Sequence, residues 1–426
     1  MFQRIFGSTG VYRRGQYGHT LLNKFFIYRE TSVKSSAIAP QVSVYLSFFI
    51  YALALGGIYP RLGDLQMQMG VGETVLGTAL LGTALGAQIS LMFAGPLVEK
   101  LGHKLVIISS IPMIGFAEFA ASLMQSPLLF FFCLILAGLS LGALEIVINL
   151  DADRTESIIG KRIMNRSHGF WSFGFFGAGL VGAGASELQI TPSHQLLGQA
   201  LMAGLAAFFI FRKYAPPPSR LIDESPNSKF VRPTMGILTL VIFTWSGMLL
   251  ESAGIDWSVI FMRDIFEVSP FVNGIAFAAG ALTQAFARFF ADGFVDRFGP
   301  VKVARASILI LGIGVTLVTF ANHPAIALVG FGLMGMGTGC IFPLAMSAAA
   351  QRSDRPAASN VASLAQCSFM IFLAAPPMLG FIAEHGGIRA SFGVGIPLVL
   401  VSWFTSSQLS ANLSKERRLT PDLKGS

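Results

Sequence analysis

The sequence predicts an all-α membrane protein with twelve transmembrane helices in two pseudo-symmetric six-helix bundles. Long apolar segments, an internal repeat and the placement of the basic residues together predict this fold. The chain has 426 residues, of which 53% are hydrophobic, and its mean hydropathy is +0.65. Only 12% of the residues are charged, about half the share found in soluble domains. This composition excludes an ordinary soluble enzyme, and it also excludes a disordered chain.

The apolar segments have the length that a membrane crossing requires. A helix needs about 20 residues to cross the hydrocarbon core, which is about 30 Å thick. The chain has twelve such segments, separated by short polar or Gly/Pro-containing connections. We predict spans at residues 42–60, 74–95, 104–123, 127–149, 167–186, 193–211, 234–256, 270–291, 301–320, 324–349, 357–382 and 388–410.

The polar segments divide the chain into domains. Residues 1–40 are basic and contain no apolar run long enough for a signal peptide, so we expect a cytoplasmic tail. Residues 213–233 include a run of prolines and form the expected linker between bundles at 41–212 and 234–410. Residues 411–426 are expected to form a second cytoplasmic tail.

The basic residues predict the orientation in the membrane. With the N-terminus inside, 26 of the 30 Lys and Arg residues fall on cytoplasmic segments and three fall on outer connections. Cytoplasmic connections carry such an excess, so we predict that both termini lie in the cytoplasm, at a bacterial-type inner membrane. The same placement accounts for the net charge of +8 without a nucleic-acid partner.

A shift of 197 residues superimposes the two halves of the sequence without gaps. The matched pairs are Gly57 and Gly254, Gly77 and Gly274, Gly102 and Gly299, Pro127 and Pro324, and Gly138 and Gly335. Two similar bundles in parallel place a cavity at their interface, and rocking exposes that cavity to either side of the membrane. The repeat therefore indicates a protein that moves a solute.

Two connections at equivalent positions of the repeat carry the same motif. The loop between spans two and three contains Gly95, Glu99, Lys100 and Gly102, and the loop between spans eight and nine contains Asp292, Asp296, Arg297 and Gly299. Glycine permits a tight turn, and an acid near a helix N-terminus is stabilised by the helix dipole. We predict that these residues form conformational switch loops.

These loops resemble the cytoplasmic loop motif of the major facilitator superfamily, G-x3-[DE]-[RK]-x-G-x-[RK]. In the second loop, Asp292 replaces the first glycine of the motif. The resemblance covers residues of about 41–410. It implies the major facilitator fold and transport by alternating access. It also implies that the loop charges make contacts that hold one conformation and break in the other.

Glu145 and Asn149 are the leading candidates for the proton site and the solute contact. Their spacing places both on one face of the fourth span, and ionisable groups at membrane depth are costly and commonly functional. The segment resembles the fourth helix of the fucose-permease branch, where an L-E-x-x-x-N pattern supplies a protonatable Glu and a polar partner. That resemblance implies that Glu145 binds a proton. Alternatively, Glu145 pairs with Arg154 or Arg166.

The seventh span contains an unusual cluster of charged and aromatic residues. Gly254, which loosens the helix, is preceded by Glu251 and followed by Asp256, Trp257 and Arg263. Aromatic rings stack on sugar faces and carboxylates accept hydroxyl donors, so we predict that these residues line the cavity or its gate. Alternatively, the charges face the outside and Trp257 anchors the membrane interface.

Three further residues, in the fifth span and at the end of the first span, are candidates for function. His168 is a candidate proton relay, and it stands close to Trp171 in the fifth span. Arg61 is expected in the outer vestibule, or else as a surface side chain. Arg288 lies four residues before Asp292, which predicts an ion pair within one helix.

The sequence predicts a proton-coupled secondary transporter of a small polar, sugar- or polyol-like solute. A proton-coupled exporter of drug-like or cationic compounds is the alternative, because the abundant Phe and Met suit apolar ligands. A membrane-embedded enzyme is the remote alternative, since no convergent acid–base pair with a metal or nucleophile is visible. We predict no cofactor and no metal, and we expect a monomer in the lipid bilayer.

Overall fold

The computed structural model describes residues 38–218 and 232–410. The predicted tails 1–40 and 411–426 therefore lie almost wholly outside the described residues, as does most of the predicted linker 213–233. Within the described ranges every regular element is helical, and the predicted fold class is confirmed.

The described residues form twelve long helices in chain order, three of which are interrupted. They are α1 (Pro40–Met69), α2 (Glu73–Leu101), α3 (His103–Ser122), α4 (Pro127–Ile159), α5 (Met164–Glu187), α6 (Pro192–Phe211), α7 (Met235–Ile265), α8 (Pro270–Phe298), α9 (Pro300–Phe320), α10 (Pro324–Ala350), α11 (Ala357–Gly386) and α12 (Ile388–Ser410). The interrupted helices consist of the pieces Pro40–Leu55, Tyr59–Arg61 and Leu62–Met69 in α1, Pro324–Thr338 and Ile341–Ala350 in α10, and Ile388–Gly393, Gly395–Thr405 and Ser406–Ser410 in α12.

Eleven helices in the described part of the chain are long and apolar enough to cross a membrane. The exception is α5, which has 24 residues and is therefore long enough but contains many Gly and Ser residues. Its Gly174 packs against the α1 backbone, and its Gly179 packs against Phe277 of α8. The fifth span is less apolar because α5 is packed between other helices, so its small residues serve close packing.

The internal repeat is visible in the packing of the two halves. A Cβ at Gly138 of α4 would lie 2.1 Å from the Thr83 carbonyl oxygen of α2. A Cβ at Gly335 of α10 would lie 2.0 Å from the Gly280 carbonyl oxygen of α8. A shift of 197 residues converts the first contact into the second. Glycine is required at both crossings because no side chain fits between the two backbones.

The two sequence motifs are more helical than their description as loops predicts. Helix α2 continues to Leu101 and α3 begins at His103, so one residue, Gly102, joins them. Gly299 joins α8 to α9 in the same way, and their φ angles are +77° and +81°. The other motif residues therefore lie in the last turns of α2 and α8. Gly102 and Gly299 supply the backbone conformation that a side chain disfavours.

Helix α1 begins and α12 ends at one face of the protein, which we call the terminal face, and the opposite face is the distal face. At the distal face Arg263 of α7 crosses to the other half. Its Nη1 donates to the Gly63 carbonyl oxygen at 3.0 Å, and its Nη2 donates to Gln66 Oε1 at 2.8 Å. Gln66 and Arg263 are themselves equivalent under the 197-residue shift, so this contact lies at the pseudo-twofold axis.

Two carboxylates also join the halves at the distal face. Glu187, at the end of α5, accepts a hydrogen bond from the Phe271 N–H in the first turn of α8 at 2.9 Å. Glu384 of α11 accepts one from the Thr74 N–H in the first turn of α2 at 2.8 Å. The shift of 197 residues converts one pair into the other. Each carboxylate lies at the positive end of a helix dipole, and we call the two contacts the distal clasps.

The terminal face is less symmetric. Asn165 of α5 donates a hydrogen bond to Asp292 of α8, which belongs to the second motif. The equivalent positions in the other helix pair are Ala362 and Gly95, neither of which carries a polar side chain. The departure of Asp292 from the motif glycine therefore creates a contact between the halves that its repeat equivalent cannot make.

The first motif is linked to a buried carboxylate at the terminal face. His103 Nδ1 lies 2.5 Å from Asp151 Oδ1 of α4, and the Tyr214 hydroxyl donates to Asp151 Oδ2 at 2.6 Å. Tyr214 follows the end of α6, and burial, together with the Asp151 carboxylate, raises the pKa of its hydroxyl above the ordinary value. Asp151 thus fixes the start of α3 and the residues after α6 to α4.

Candidate functional site

A central cavity lies where α5 of the first half meets the second half. Its walls come from α5, α7, α8 and α10, and the space between them, including its opening to solvent, is about 420 Å³. Helix α10 is interrupted after Thr338, which lines the cavity. The lining residues are Trp171, Phe175, Leu250, Glu251, Gly254, Ile255, Ala276, Phe277, Gly280, Ala281, Gln284, Phe331, Met334, Gly335 and Thr338.

A polar network occupies the side of the cavity nearest the terminal face. Arg288 Nη1 donates to Ser172 Oγ at 2.7 Å, and its Nη2 donates to Glu251 Oε1 at 3.2 Å. The guanidinium lies over the Trp171 ring, 5.4 Å from its centroid. Ser172 Oγ also donates to Gln284 Oε1 at 3.0 Å. The network joins α5, α7 and α8, and therefore joins the two halves.

The structure contradicts the predicted ion pair between Arg288 and Asp292. Arg288 pairs with Glu251 of α7 instead, and Asp292 binds Asn165 of α5. A spacing of four residues permits a pair within one helix, but both side chains of α8 have partners on neighbouring helices. Charge-assisted bonds in the protein interior are stronger than those exposed to water, which favours these partners.

Glu145 lies in a hydrogen-bonded cluster next to the cavity. The Tyr51 hydroxyl of α1 donates to Glu145 Oε1, and Asn149 Nδ2 donates to Glu145 Oε2 at 2.7 Å. Trp171, which lines the cavity, lies beside the Tyr51 hydroxyl and interacts with it. The structure thus brings Glu145 and Asn149 together as predicted and connects them to the cavity through Tyr51 and Trp171. Arg166 is not among the hydrogen-bond partners that these contacts give for Glu145.

Aromatic rings line the cavity on the side nearest the distal face. Trp171 stacks on Phe175 with centroids 4.1 Å apart, and Phe175 and Phe277 lie 5.7 Å apart. Tyr59 of α1 stacks on Phe277 at 5.9 Å. Asp256 of α7 is buried and accepts a hydrogen bond from Ser252 at 2.9 Å, but it does not belong to the cavity lining.

Three other candidates lie away from the cavity. Trp257 is completely buried, and its ring packs beside Gly380 of α11. Arg61 is buried and donates to Asp64 at 2.6 Å and to the Ile190 carbonyl oxygen at 2.8 Å. Arg263 joins the halves at the distal face, and its gate role remains a prediction. Trp257 and Arg61 therefore pack against other protein groups and do not line the cavity.

His168 lies between the cavity network and α1. Its ring makes an edge contact with Phe48, with centroids 5.0 Å apart, and it interacts electrostatically with Arg288. This position is close to the candidate site, although His168 is not part of the cavity lining. Its predicted relay role remains a prediction.

Sequence reasoning missed Arg288, Ser172 and Tyr51 as site residues. A signal existed for Arg288, because an arginine in the middle of an apolar span is costly and commonly functional. The predicted ion pair with Asp292 offered a local explanation for Arg288, so a role in the site was not predicted. Tyr51 and Ser172 carried no comparable signal, since Tyr and Ser occur throughout membrane helices as packing residues.

A second polar region lies at the interruption of α1, and residue spacing in the sequence did not predict it. Gln199 Nε2 donates to the Leu53 carbonyl oxygen, and Gln195 Nε2 donates to the Gly57 carbonyl oxygen at 3.3 Å. Glu118 of α3 accepts a hydrogen bond from the Ile58 N–H. These buried side chains satisfy backbone groups that the interrupted helix leaves without partners.

Comparison with known protein families gives one match in the second half. A sequence model described as Major Facilitator Superfamily matches residues 252–420. An uncharacterized MFS-type transporter of Yersinia pestis is 26% identical over 376 residues, which cover 87% of this chain and 97% of that protein. The quinolone resistance protein NorA of Staphylococcus aureus is 25% identical over 307 residues, which cover 68% of this chain and 76% of NorA.

Solved structures share the fold at low sequence identity. A mutant of the nucleoside transporter NupG superimposes with a TM-score of 0.69 at 14% identity and covers 87% of this chain and 100% of NupG. The E. coli fucose:proton symporter FucP superimposes with a TM-score of 0.58 at 18% identity and covers 88% of this chain and 99% of FucP. Both similarities extend over the two helix bundles.

Proposed function

We infer that this chain, which belongs to the major facilitator superfamily and is a multi-pass membrane transporter, moves a small sugar- or polyol-like solute together with a proton. The observation that carries this proposal is the cavity between the halves, in which aromatic rings face polar groups. Phe175 and Phe277 offer flat apolar surfaces, while Gln284 and Thr338 offer hydrogen-bonding groups. A hydroxylated ring has both kinds of surface.

Glu145 is the proposed proton site. It lies at membrane depth in α4, its hydrogen bonds come from the neutral donors Tyr51 and Asn149, and it is connected to the cavity wall through Trp171. A carboxyl group held by neutral donors can exchange a proton without breaking an ion pair. Proton exchange at Glu145 would then alter the hydrogen bond that Tyr51 donates to it, and through Tyr51 the position of Trp171 at the solute site.

We further propose that both termini lie in the cytoplasm of a bacterial-type inner membrane and that the protein works as a monomer. The distribution of Lys and Arg supports the orientation. With this orientation the distal face is the outer face, and Arg263 and the distal clasps close it. A monomer suffices because one chain supplies both halves of the cavity.

The experiment is uptake into liposomes that contain the purified protein under an imposed pH gradient. We expect Glu145→Gln to abolish accumulation driven by the gradient while solute exchange at equal pH remains. Glu267→Gln is the control, because Glu267 is exposed in the connection between α7 and α8. Full pH-driven accumulation by Glu145→Gln would show that the proton site lies elsewhere.

An exporter of drug-like or cationic compounds is the second candidate. The apolar part of the cavity wall, which includes Phe331 and Met334, favours it, and the relative NorA is named for quinolone resistance. The two candidates differ in their competitors. If sugars and polyols leave transport of a fluorescent drug-like cation unchanged, and that cation is transported, the exporter is the better assignment.

A further inference from the structure

Arg288 is a cation with unused hydrogen-bonding capacity beside the central cavity. Its Nη1 and Nη2 donate to Ser172 and Glu251, and the Glu251 bond is long at 3.2 Å. Its Nε is buried and has no hydrogen-bond partner. A buried donor without a partner is destabilising, and the more so when it is charged. The protein's own groups therefore leave the guanidinium incompletely satisfied.

The geometry points to a solute that carries a carboxylate, and this inference rests on the proposed transport function. A guanidinium presents Nε–H and Nη2–H along one edge, which matches the two oxygens of a carboxylate. Glu251 uses one oxygen on Nη2 and leaves Nε free. A solute carboxylate would bind Nε and displace Glu251 from Nη2, so that Ser172 and Trp171 continue to hold the guanidinium in place.

The charged groups around Arg288 couple the binding of a carboxylate to the uptake of a proton. Glu251 of α7, His168 of α5, Cys340 of α10 and Asp292 of its own helix are the titratable groups near it. Arg288 and Glu251 are neutral as a pair. When a carboxylate replaces Glu251, the displaced Glu251 is a buried charge without a partner, which is strongly unfavourable unless it takes up a proton.

One proton and one monocarboxylate therefore enter the site together, and the net charge of the cavity does not change. Glu251 becomes the neutral acid, and the solute becomes the new partner of Arg288. The hydroxyl groups of the solute face Gln284 and Thr338, which line the same cavity. The structure thus assigns a hydroxylated monocarboxylate, such as a sugar acid, as the solute class.

The experiment compares matched solutes that differ in one carboxylate. Binding of glucose and gluconate, and of glycerol and glycerate, is measured by calorimetry on the purified protein in detergent at several pH values. We expect the acid of each pair to bind at least about tenfold more tightly. We expect Arg288→Lys to remove that preference because lysine lacks the planar fork, and we expect Glu251→Gln to retain it while its pH dependence is lost.

Arg305→Lys is a closely matched control. Arg305 also donates to a serine, Ser406, at 3.2 Å and lies over a tryptophan, Trp403, at 5.5 Å. It lies on α9, away from the cavity lining, so the preference for acids should remain.

Equal binding of the neutral and acidic members by the wild-type protein overturns this inference but leaves transport of a neutral sugar intact. If Arg288→Lys does not fold, the wild-type comparison and Glu251→Gln still decide the question. A pH dependence in Glu251→Gln equal to that of the wild type also overturns the proton linkage.

Discussion

Replacing Arg263 with alanine should open the distal face. Arg263 donates from Nη1 to the Gly63 carbonyl oxygen and from Nη2 to Gln66, and both partners belong to the other half. The substitution removes both bonds between the halves. It also removes the bond to Asp264, which lies within the same half and does not affect closure directly.

The size of the effect follows from the two lost bonds. A hydrogen bond to a charged group contributes about 1.5–3 kcal/mol. The Arg263 side chain is 24% exposed, so water replaces part of this energy, and we expect a loss of about 2 kcal/mol in total. This corresponds to a shift of about 30-fold in the closed-to-open equilibrium. A wild-type population that is about 99% closed would become about one quarter open.

The assay is the distance between spin labels on the two halves at the distal face. Leu188 and Phe320 are suitable positions because they are 74% and 73% exposed. Arg389→Ala is the control, since Arg389 donates to the Thr319 and Ala321 carbonyl oxygens of its own half. An unchanged distance distribution in Arg263→Ala, or an equal change in Arg389→Ala, would refute the assignment of Arg263 to distal closure.

Two further predictions concern residue pairs that the repeat relates. Gly102→Ala and Gly299→Ala should each lower the free energy of unfolding in detergent by about 1–3 kcal/mol, because a side chain disfavours their positive φ even in open space. Gly198→Ala, which lies in open space within α6, should not lower it. Equal melting temperatures for all three variants would contradict the reasoning. Glu187→Gln and Glu384→Gln should each widen the distal spin-label distance distribution less than the arginine substitution does. Their two effects should be similar, and a change in one variant alone would show that the distal clasps are not equivalent.

Much of the candidate site could be read from the chain, but the partners of its residues could not. Glu145 and Asn149 share a helix face by spacing alone, and the structure confirms that they contact each other. The partner of Arg288 was predicted wrongly because spacing reports neighbours on one helix, whereas Glu251 lies 37 residues earlier on α7. Trp257 was expected in the cavity or at its gate, but it packs beside Gly380 of α11. The sequence could not show this, because the orientation of Trp257 around α7 depends on how α11 packs there.

The sequence by itself determined the number of long helices, their order and the twofold repeat. These features follow from the length of apolar segments that a bilayer requires and from a 197-residue shift that is visible without coordinates. Only the tertiary structure decided which polar groups meet at the centre and which contacts join the halves at each face. Those contacts depend on how each helix is rotated about its axis, and rotation is set by packing against neighbouring helices at close approaches such as Gly138 and Gly335.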